Sequence, residues 1–338
     1  MAETNDTDVP TVAQMRAAAE KLAPHIVVTP SVPWHGPHAL QRLGAQARLF
    51  LKLELFQRTG TFKFRAAMLN ALALNDEQRR RGVTAVSAGN HAIAVACAAQ
   101  HLDMSAKVVM LQSANPMRIA AAKAYGAEIL MAEDGRSGFA LVDEIRAREG
   151  RIFIHPFDGR NVVLGTSSVA LELLEQVPEL EAIVVAVGGG GLMSGIAAAV
   201  KQIKPDCLVL GVEPAGADVM SRSLRASAPQ RMERVDTIAD SLAPPMTTQS
   251  TYELCRAFVD EMVTVSDDEI CAALALLYRD AKLAVEPAGA AAAAAVLGPL
   301  ASRLRGRRTG VIVCGANIDS ESFYRYLRRG EEELKRLP

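Results

Sequence analysis

A lysine between two phenylalanines is a poor place for a freely hydrated charge. Lys63 stands in the stretch Arg58-Thr59-Gly60-Thr61-Phe62-Lys63-Phe64-Arg65. Its stem can lie along the rings with the ammonium in water, which is the commoner arrangement for an arbitrary lysine. Held in a partly desolvated pocket, the same amine loses basicity and can form a Schiff base with a carbonyl. The stretch alone leaves both readings open. A second chemistry lies in Gly188-Gly189-Gly190-Gly191-Leu192, which follows the apolar strand pattern Ala182–Val187 and opens a helix. Successive glycines let backbone N–H groups converge on an anion, and a helix N-terminus adds its dipole. Close helix–strand packing after a tight turn also uses glycine, but four in a row exceed what a turn needs. Phosphate is therefore the expected occupant.

Which phosphate is a separate matter. A dinucleotide fingerprint needs glycine or alanine where Met193 or Ser194 falls, and no Gly-Lys-Ser/Thr for a nucleoside triphosphate is present. Glu213, at the end of the next strand, does imitate a ribose-binding acid, so a nicotinamide dehydrogenase stays as a weaker rival. Ser87-Ala88-Gly89-Asn90-His91 also enters a helix from a strand end, where free N–H groups and the Ser87 and Asn90 side chains suit a carboxylate. A plain N-cap would look much the same. His91 is expected to position its neighbours rather than act as a base. Cys314 ends an apolar strand, and its thiol is a weak donor; an ordinary buried cysteine fits as well. Glu286, before Pro287, either faces a site or caps the helix that follows.

These residues need a scaffold. The 338 residues are 50% hydrophobic but only 4% aromatic, so alanine, valine and leucine must build the core, which favours helices packed closely on sheets. Net charge is −1 and the pI about 6.6, which offers nothing to nucleic acid or an acidic membrane surface. Arg303 to Arg308 reads as a solvated helix end. The scattered cysteines have neither disulfide nor metal-ligand spacing, and a reducing cytoplasm suits them. The polar segment Met1–Pro10 lacks the basic and apolar regions of a signal peptide. The apolar run Ala288–Ala301 falls short of the roughly 20 residues that span a bilayer.

Thr11 is placed to cap a first helix with Val12, Met15, Ala19 and Leu22 on its apolar face. Loop residues around Pro30 and Pro33 lead to a strand, Leu49–Phe56, and an apolar helical run, Ala66–Leu74, follows. Strand patterns then recur at Val83–Ser87, Lys107–Leu111, Glu128–Ala132 and Arg151–His155, with helices opening near Asn90, Asn115-Pro116 and Ser137 and a stop at Gly126. A second series comprises Ala182–Val187, Leu208–Glu213, Met262–Val265 and Gly310–Cys314. Two such series imply two α/β domains with doubly wound parallel sheets. The small domain is expected at 57–156, inserted in a large one made of 1–56 and 157–338.

Taken together, Thr-Gly-Thr-Phe-Lys-Phe-Arg, Ser-Ala-Gly-Asn-His, the glycine run and Val313-Cys314-Gly315-Ala316-Asn317 closely resemble the serine/threonine dehydratase and serine racemase family of pyridoxal-phosphate enzymes. The resemblance covers about Ala18 to Arg329. It implies the tryptophan synthase β-like fold, with pyridoxal 5′-phosphate between the two domains, and a homodimer. It implies that Lys63 carries the cofactor and removes the α-proton of the substrate. Phe62, Asn90, Gly188, Gly189, Gly190, Gly191, Leu192, Glu286 and Cys314 are then cofactor neighbours. Ser87, Ala88, Gly89, Asn90 and His91 bind the substrate carboxylate.

The activity implied is dehydration of a β-hydroxy-α-amino acid to a 2-oxo acid and ammonia. Serine and threonine are the default substrates, and β-phenylserine or threo-3-hydroxyaspartate undergo the same elimination. Several positions depart from the family pattern. Ser241 stands for a ring-lining glycine, and Thr61 and Ala66 are conservative changes. Val219 replaces one oxygen ligand of the cation site that metal-dependent relatives build with Glu213 and Ala217, so no metal is expected. Ala88 takes the place of the serine that lets racemases protonate the opposite face, which weakens an isomerase reading.

Overall fold

The computed structural model describes residues 9–336, so positions 1–8 of the polar Met1–Pro10 segment lie outside the described residues. Among the described residues, ten strands form two sheets. The strands are β1 (Ser31–Trp34), β2 (Arg48–Leu53), β3 (Val83–Ser87), β4 (Ala106–Leu111), β5 (Glu128–Ala132), β6 (Ile152–Phe153), β7 (Ala182–Ala186), β8 (Leu208–Pro214), β9 (Glu261–Val265) and β10 (Arg308–Val313). The six-stranded sheet has the order β1-β2-β10-β7-β8-β9, and the four-stranded sheet the order β5-β4-β3-β6. Both sheets have helices between their strands, and β7 is buried at every position, as a strand covered on both faces should be.

The expectation of purely parallel sheets needs one correction. β1 pairs with β2 antiparallel, Val32 facing Leu51. Pro33, read as a loop signal, sits inside this strand because an edge strand has a free side that needs no N–H. Strand β2 also stops at Leu53. The predicted continuation to Phe56 becomes a 3₁₀ turn, Glu54–Phe56, which carries the Glu54 carboxylate to Arg65.

Local capping agrees well with the residues. Thr11 and Gln14 form a capping box on Val12–Leu22, and Asn115 caps the helix Pro116–Ala124, with Gly126 left-handed beyond it. The helix expected near Ser137 begins at Gly135, because Asp134 is its N-cap and Ser137 closes the box from the third position. Two main cores result. Met15 of the first helix joins the larger one, whereas Ala18 and Leu22 of the same helix pack in the smaller, beside Phe64, Met68 and Ile154. Ala18, rather than the expected Ala19, faces inward.

The alanine-rich run is a helix, Pro287–Leu297, buried along its whole length against β7, β8, β9 and β10. An all-round apolar helix belongs inside a large core. No helix among the described residues is long and apolar enough to cross a membrane.

Candidate active site

The site forms where the chain order of the large sheet reverses. From β7 the chain runs to β8 and β9 on one side, while β10 lies on the other. Ligands of open α/β sheets bind in the crevice beyond the carboxyl ends of the strands at such a point. Gly188 follows β7 there, and Cys314 follows β10. The Thr-Gly-Thr loop is stitched to the same place: Phe62 donates its N–H to Cys314 O at 3.2 Å, Ala316 to Gly60 O at 3.0 Å, and Thr61 bridges Gly315. The helix Lys63–Leu72 therefore starts at the crevice, with Lys63 as its first residue.

Lys63 Nζ lies 5.1 Å from the Phe62 ring centroid and donates to Pro156 O at 2.5 Å. Burial depresses its pKa to about 8, with the Glu286 carboxylate opposing. Phe64 does not share in this pocket; it is fully buried in the smaller core. The glycine loop lies across the pocket. Gly190 adopts φ +96° as N-cap of the helix Gly191–Ile203, and a Cβ on Gly191 would come within 2.5 Å of Phe157 O. Neither position accepts a side chain. Among the described residues, no acceptor takes the N–H groups of Gly189, Gly190, Gly191 or Leu192, although all four are buried. Buried unpaired N–H groups at a helix N-terminus are an anion site by construction.

Phe62, Lys63, Asn90, Gly188 to Leu192, Glu286 and Cys314 line one inner pocket. It opens into a cleft of about 180 Å³ lined by Ser87, Ala88, Gly89, Asn90 and His91, with Lys63 and Phe157 common to both. The expected residues thus converge from both sheets. His91 Nε2 donates to Ile154 O at 2.8 Å, and burial drives its pKa down to about 3, so the ring is neutral and occupied by the backbone. Cys314 donates its thiol to Ala288 O at 3.3 Å, and burial pushes the thiol pKa far up, so it stays a neutral thiol. Glu286 occupies the N-cap position of Pro287–Leu297 without making a side-chain cap bond. It accepts instead from Asn90 Nδ2 at 2.7 Å and Arg118 Nη2 at 2.8 Å. Ser241 Oγ takes a second, 3.1 Å bond from Asn90 Nδ2.

Sequence reasoning missed Arg118, Phe157 and the apolar walls of the cleft. Arg118 gave no signal beyond a charge one turn inside a capped helix. Phe157 had one: it follows Pro156 at the return to the large sheet, where the chain must pass the glycine loop. Glu213 is not a free ligand. Its carboxylate accepts from Met220 N, Ser221 N and Ser221 Oγ at 2.6–2.7 Å, capping the helix Val219–Ala226. Asp218 turns instead to Arg222 and Arg225.

A phosphate cradle faced by a desolvated amine defines a class: an α/β enzyme built around a cofactor that carries both a phosphate and a carbonyl. The residues of the pocket fit pyridoxal phosphate: the unpaired N–H groups would take its phosphate, the Lys63 amine would take its aldehyde, and Cys314 adds a neutral thiol to the lining rather than a charge. Comparison with known proteins agrees. The family model described as pyridoxal-phosphate dependent enzyme matches residues 22–315. A phenylserine dehydratase of Ralstonia pickettii is 52% identical over 82% of this chain and 86% of its own. An L-threonine ammonia-lyase of Thermotoga maritima is 37% identical over 83% and 70%. The solved structure of maize serine racemase superposes with a TM-score of 0.89 at 33% identity, covering 97% of this chain and 99% of that one. The chain belongs to the pyridoxal-phosphate dependent enzymes, and pyridoxal phosphate is its cofactor.

Proposed function

We propose that this chain, a pyridoxal-phosphate-dependent dehydratase (ammonia-lyase) of hydroxy amino acids, takes a β-hydroxy-α-amino acid with an apolar, aromatic β-substituent, such as β-phenylserine. The observation that carries this reading is the wall of the cleft beyond the Ser87–His91 loop. Val86, Leu111 and Phe139 approach from the small sheet's side, and Ala243, Pro244 and Pro245 from the large one. Phe139 is 36% exposed at this wall, edge-on to Phe153 and tilted against His155. An exposed phenylalanine packed on a second aromatic ring makes a platform for a third.

A distal carboxylate would need a cation here. The cleft holds Arg118, whose guanidinium is already bonded to Glu286, Asp240 and Asn317 O. This arrangement favours phenylserine over 3-hydroxyaspartate. The high identity to a phenylserine dehydratase supports the same choice.

Within this reading each group has one task. The glycine loop N–H groups hold the cofactor phosphate, and the Ser87–His91 loop holds the substrate carboxylate. Pyridoxal phosphate supplies the electron sink that acidifies Cα and allows the β-hydroxyl to leave. The Lys63 amine, whose basicity burial has lowered, moves the proton at Cα. Phe157, Pro244 and Pro245 give the cleft an apolar lining that would limit water beside the bound substrate. The net reaction turns phenylserine into phenylpyruvate and ammonium, with the water lost at Cβ regained at Cα.

The test is a 2-oxo acid assay over threo-phenylserine, threonine, serine and threo-3-hydroxyaspartate. The apolar wall predicts kcat/KM for phenylserine about tenfold or more above that for serine. A preference for serine, or for the dicarboxylic substrate, overturns the assignment of the wall.

A further inference from the structure

Four residues close a hydrogen-bonded ring across the domain interface, Asn317 taking part with both its main-chain carbonyl and its side-chain amide. Arg118 Nε donates to Asn317 O at 2.8 Å, and Asn317 Nδ2 donates to Asn90 Oδ1 at 2.8 Å. Asn90 Nδ2 donates to Glu286 Oε1 at 2.7 Å, and Glu286 Oε2 accepts from Arg118 Nη2 at 2.8 Å. Arg118 and Asn90 belong to helices beside the small sheet, while Glu286 heads the helix Pro287–Leu297 and Asn317 follows β10 in the large one. A further bond, Nη1 to Asp240 Oδ2 at 2.7 Å, ties Arg118 to the large side at the cleft rim. The three polar bonds found for the Arg118 guanidinium thus all cross the interface, and its stem lies over Gly89, where an added Cβ would meet it.

We infer that Arg118 is a positioning residue: it registers the small domain on the large one and, through Glu286 and Asn317, fixes the amide of Asn90 beside the cofactor. The chemistry of the ring supports this. An amide has a donor end and an acceptor end, and here each end has a defined partner, so the amide cannot flip without losing both. Glu286 is 1% exposed and burial raises its pKa to about 7 against the pull of Arg118; without a facing cation it would protonate, and one of its two accepting oxygens would become a donor. Arg118 is that cation, and its planar fork reaches Asn317 O, Asp240 and Glu286 from three separate nitrogens, a spread that a lysine's single ammonium does not reproduce. The inference rests on the reading of Lys63 and Asn90 as cofactor neighbours. That reading is checked separately, by borohydride reduction of wild-type holoenzyme followed by peptide mass analysis for a pyridoxyl group on Lys63.

The experiment is a double-mutant cycle of Arg118→Met and Glu286→Gln, with Arg118→Lys beside it. Folding is followed by circular dichroism. The readouts are pyridoxal phosphate affinity of the apo-proteins by fluorescence titration, and kcat and KM of the holoenzymes. Arg118→Met is expected to weaken cofactor binding about fivefold and to lower kcat/KM about tenfold. The double variant should lose no more than the worse single variant, within about twofold, because both changes break one ring. Arg118→Lys should recover part of the cofactor affinity by keeping a charge near Glu286. Losses that multiply in the double variant overturn the inference, as does wild-type cofactor affinity with wild-type kcat/KM in Arg118→Met. If Arg118→Met does not fold, the same cycle built on Arg118→Lys decides between the two outcomes.

Discussion

Lys63 sits where burial brings its amine to half free base near pH 8, well below the range of a hydrated lysine. A neutral amine is required to capture an aldehyde, and the ammonium form cannot do so. The pKa of about 8 therefore has a measurable signature before any substrate is present. The rate at which apo-protein takes up pyridoxal phosphate, read by visible absorption, should climb with pH and level off near pH 8. It should fall about tenfold per unit below that. A climb that continues towards pH 10.5 would mean that the amine is hydrated. Ala88 makes the second prediction at this scale. Inverting an amino acid needs an acid on the opposite face of Cα from the lysine, and a methyl group neither gives nor takes a proton. With L-serine, pyruvate should outpace D-serine by about tenfold or more in chiral chromatography. Equal rates would show that another group supplies the acid.

The helix that begins at Lys63 is held by a buried charge cluster two residues further on. Arg65 Nε and Nη2 meet Glu54 at 2.8 Å, and Nη1 meets Glu172 at 2.6 Å. Lys52 Nζ reaches Glu172 at 2.6 Å as well. Arg65→Met leaves two buried carboxylates short of a counter-charge, which is expected to cost about 3–5 kcal/mol. Urea unfolding of the apo-protein measures it; a change below about 1 kcal/mol would mean that Lys52 alone suffices. Glu54 also marks the limit of what local pattern shows. Alternation around it reads as strand, and the turn it makes depends on Arg65. Pro33 misled in the same way, since the sequence carries no mark of an edge. Thr11, Asn115 and Gly126 were legible because a cap is satisfied within a few residues of itself.

Across the whole molecule, the motifs were readable and their coupling was not. Lys63, the Ser87–His91 loop, the glycine run and Cys314 each announce a local backbone need, whereas Arg118 and Glu286 meet over a separation of 168 residues. The walls of the cleft were invisible for the same reason, as Phe139 and Pro244 face one another only when two sheets close. Partner choice also bears on the cation expectation at this scale. Glu213 caps a helix and Asp218 pairs with two arginines, so a hard cation there would have to compete with those partners. Chelator should leave both kcat/KM and the unfolding temperature unchanged, and added magnesium or calcium should do nothing further. A reversible loss of either with chelator, restored by either ion, would place the ion elsewhere.

The path of the chain has a consequence for recombination. Strands β3 to β6 lie between β2 and β7 in sequence, so exchanging one segment replaces the entire small sheet with that of a relative. Such a graft would carry Phe139 and the Ser87–His91 loop with it, but would leave Ala243, Pro244 and Pro245 of the cleft behind, so it would exchange one wall and keep the other. Its seams would be unequal. At the outgoing end the Thr-Gly-Thr loop is bonded to residues after β10 mostly by backbone atoms, with one side-chain bond, Asn317 Nδ2 to Thr59 O at 2.8 Å. At the returning end Pro156 and Phe157 meet Lys63 and the glycine loop directly. A chimera should therefore inherit residues 155–158 from the parent that provides the glycines, and Arg118 from the parent that provides Glu286.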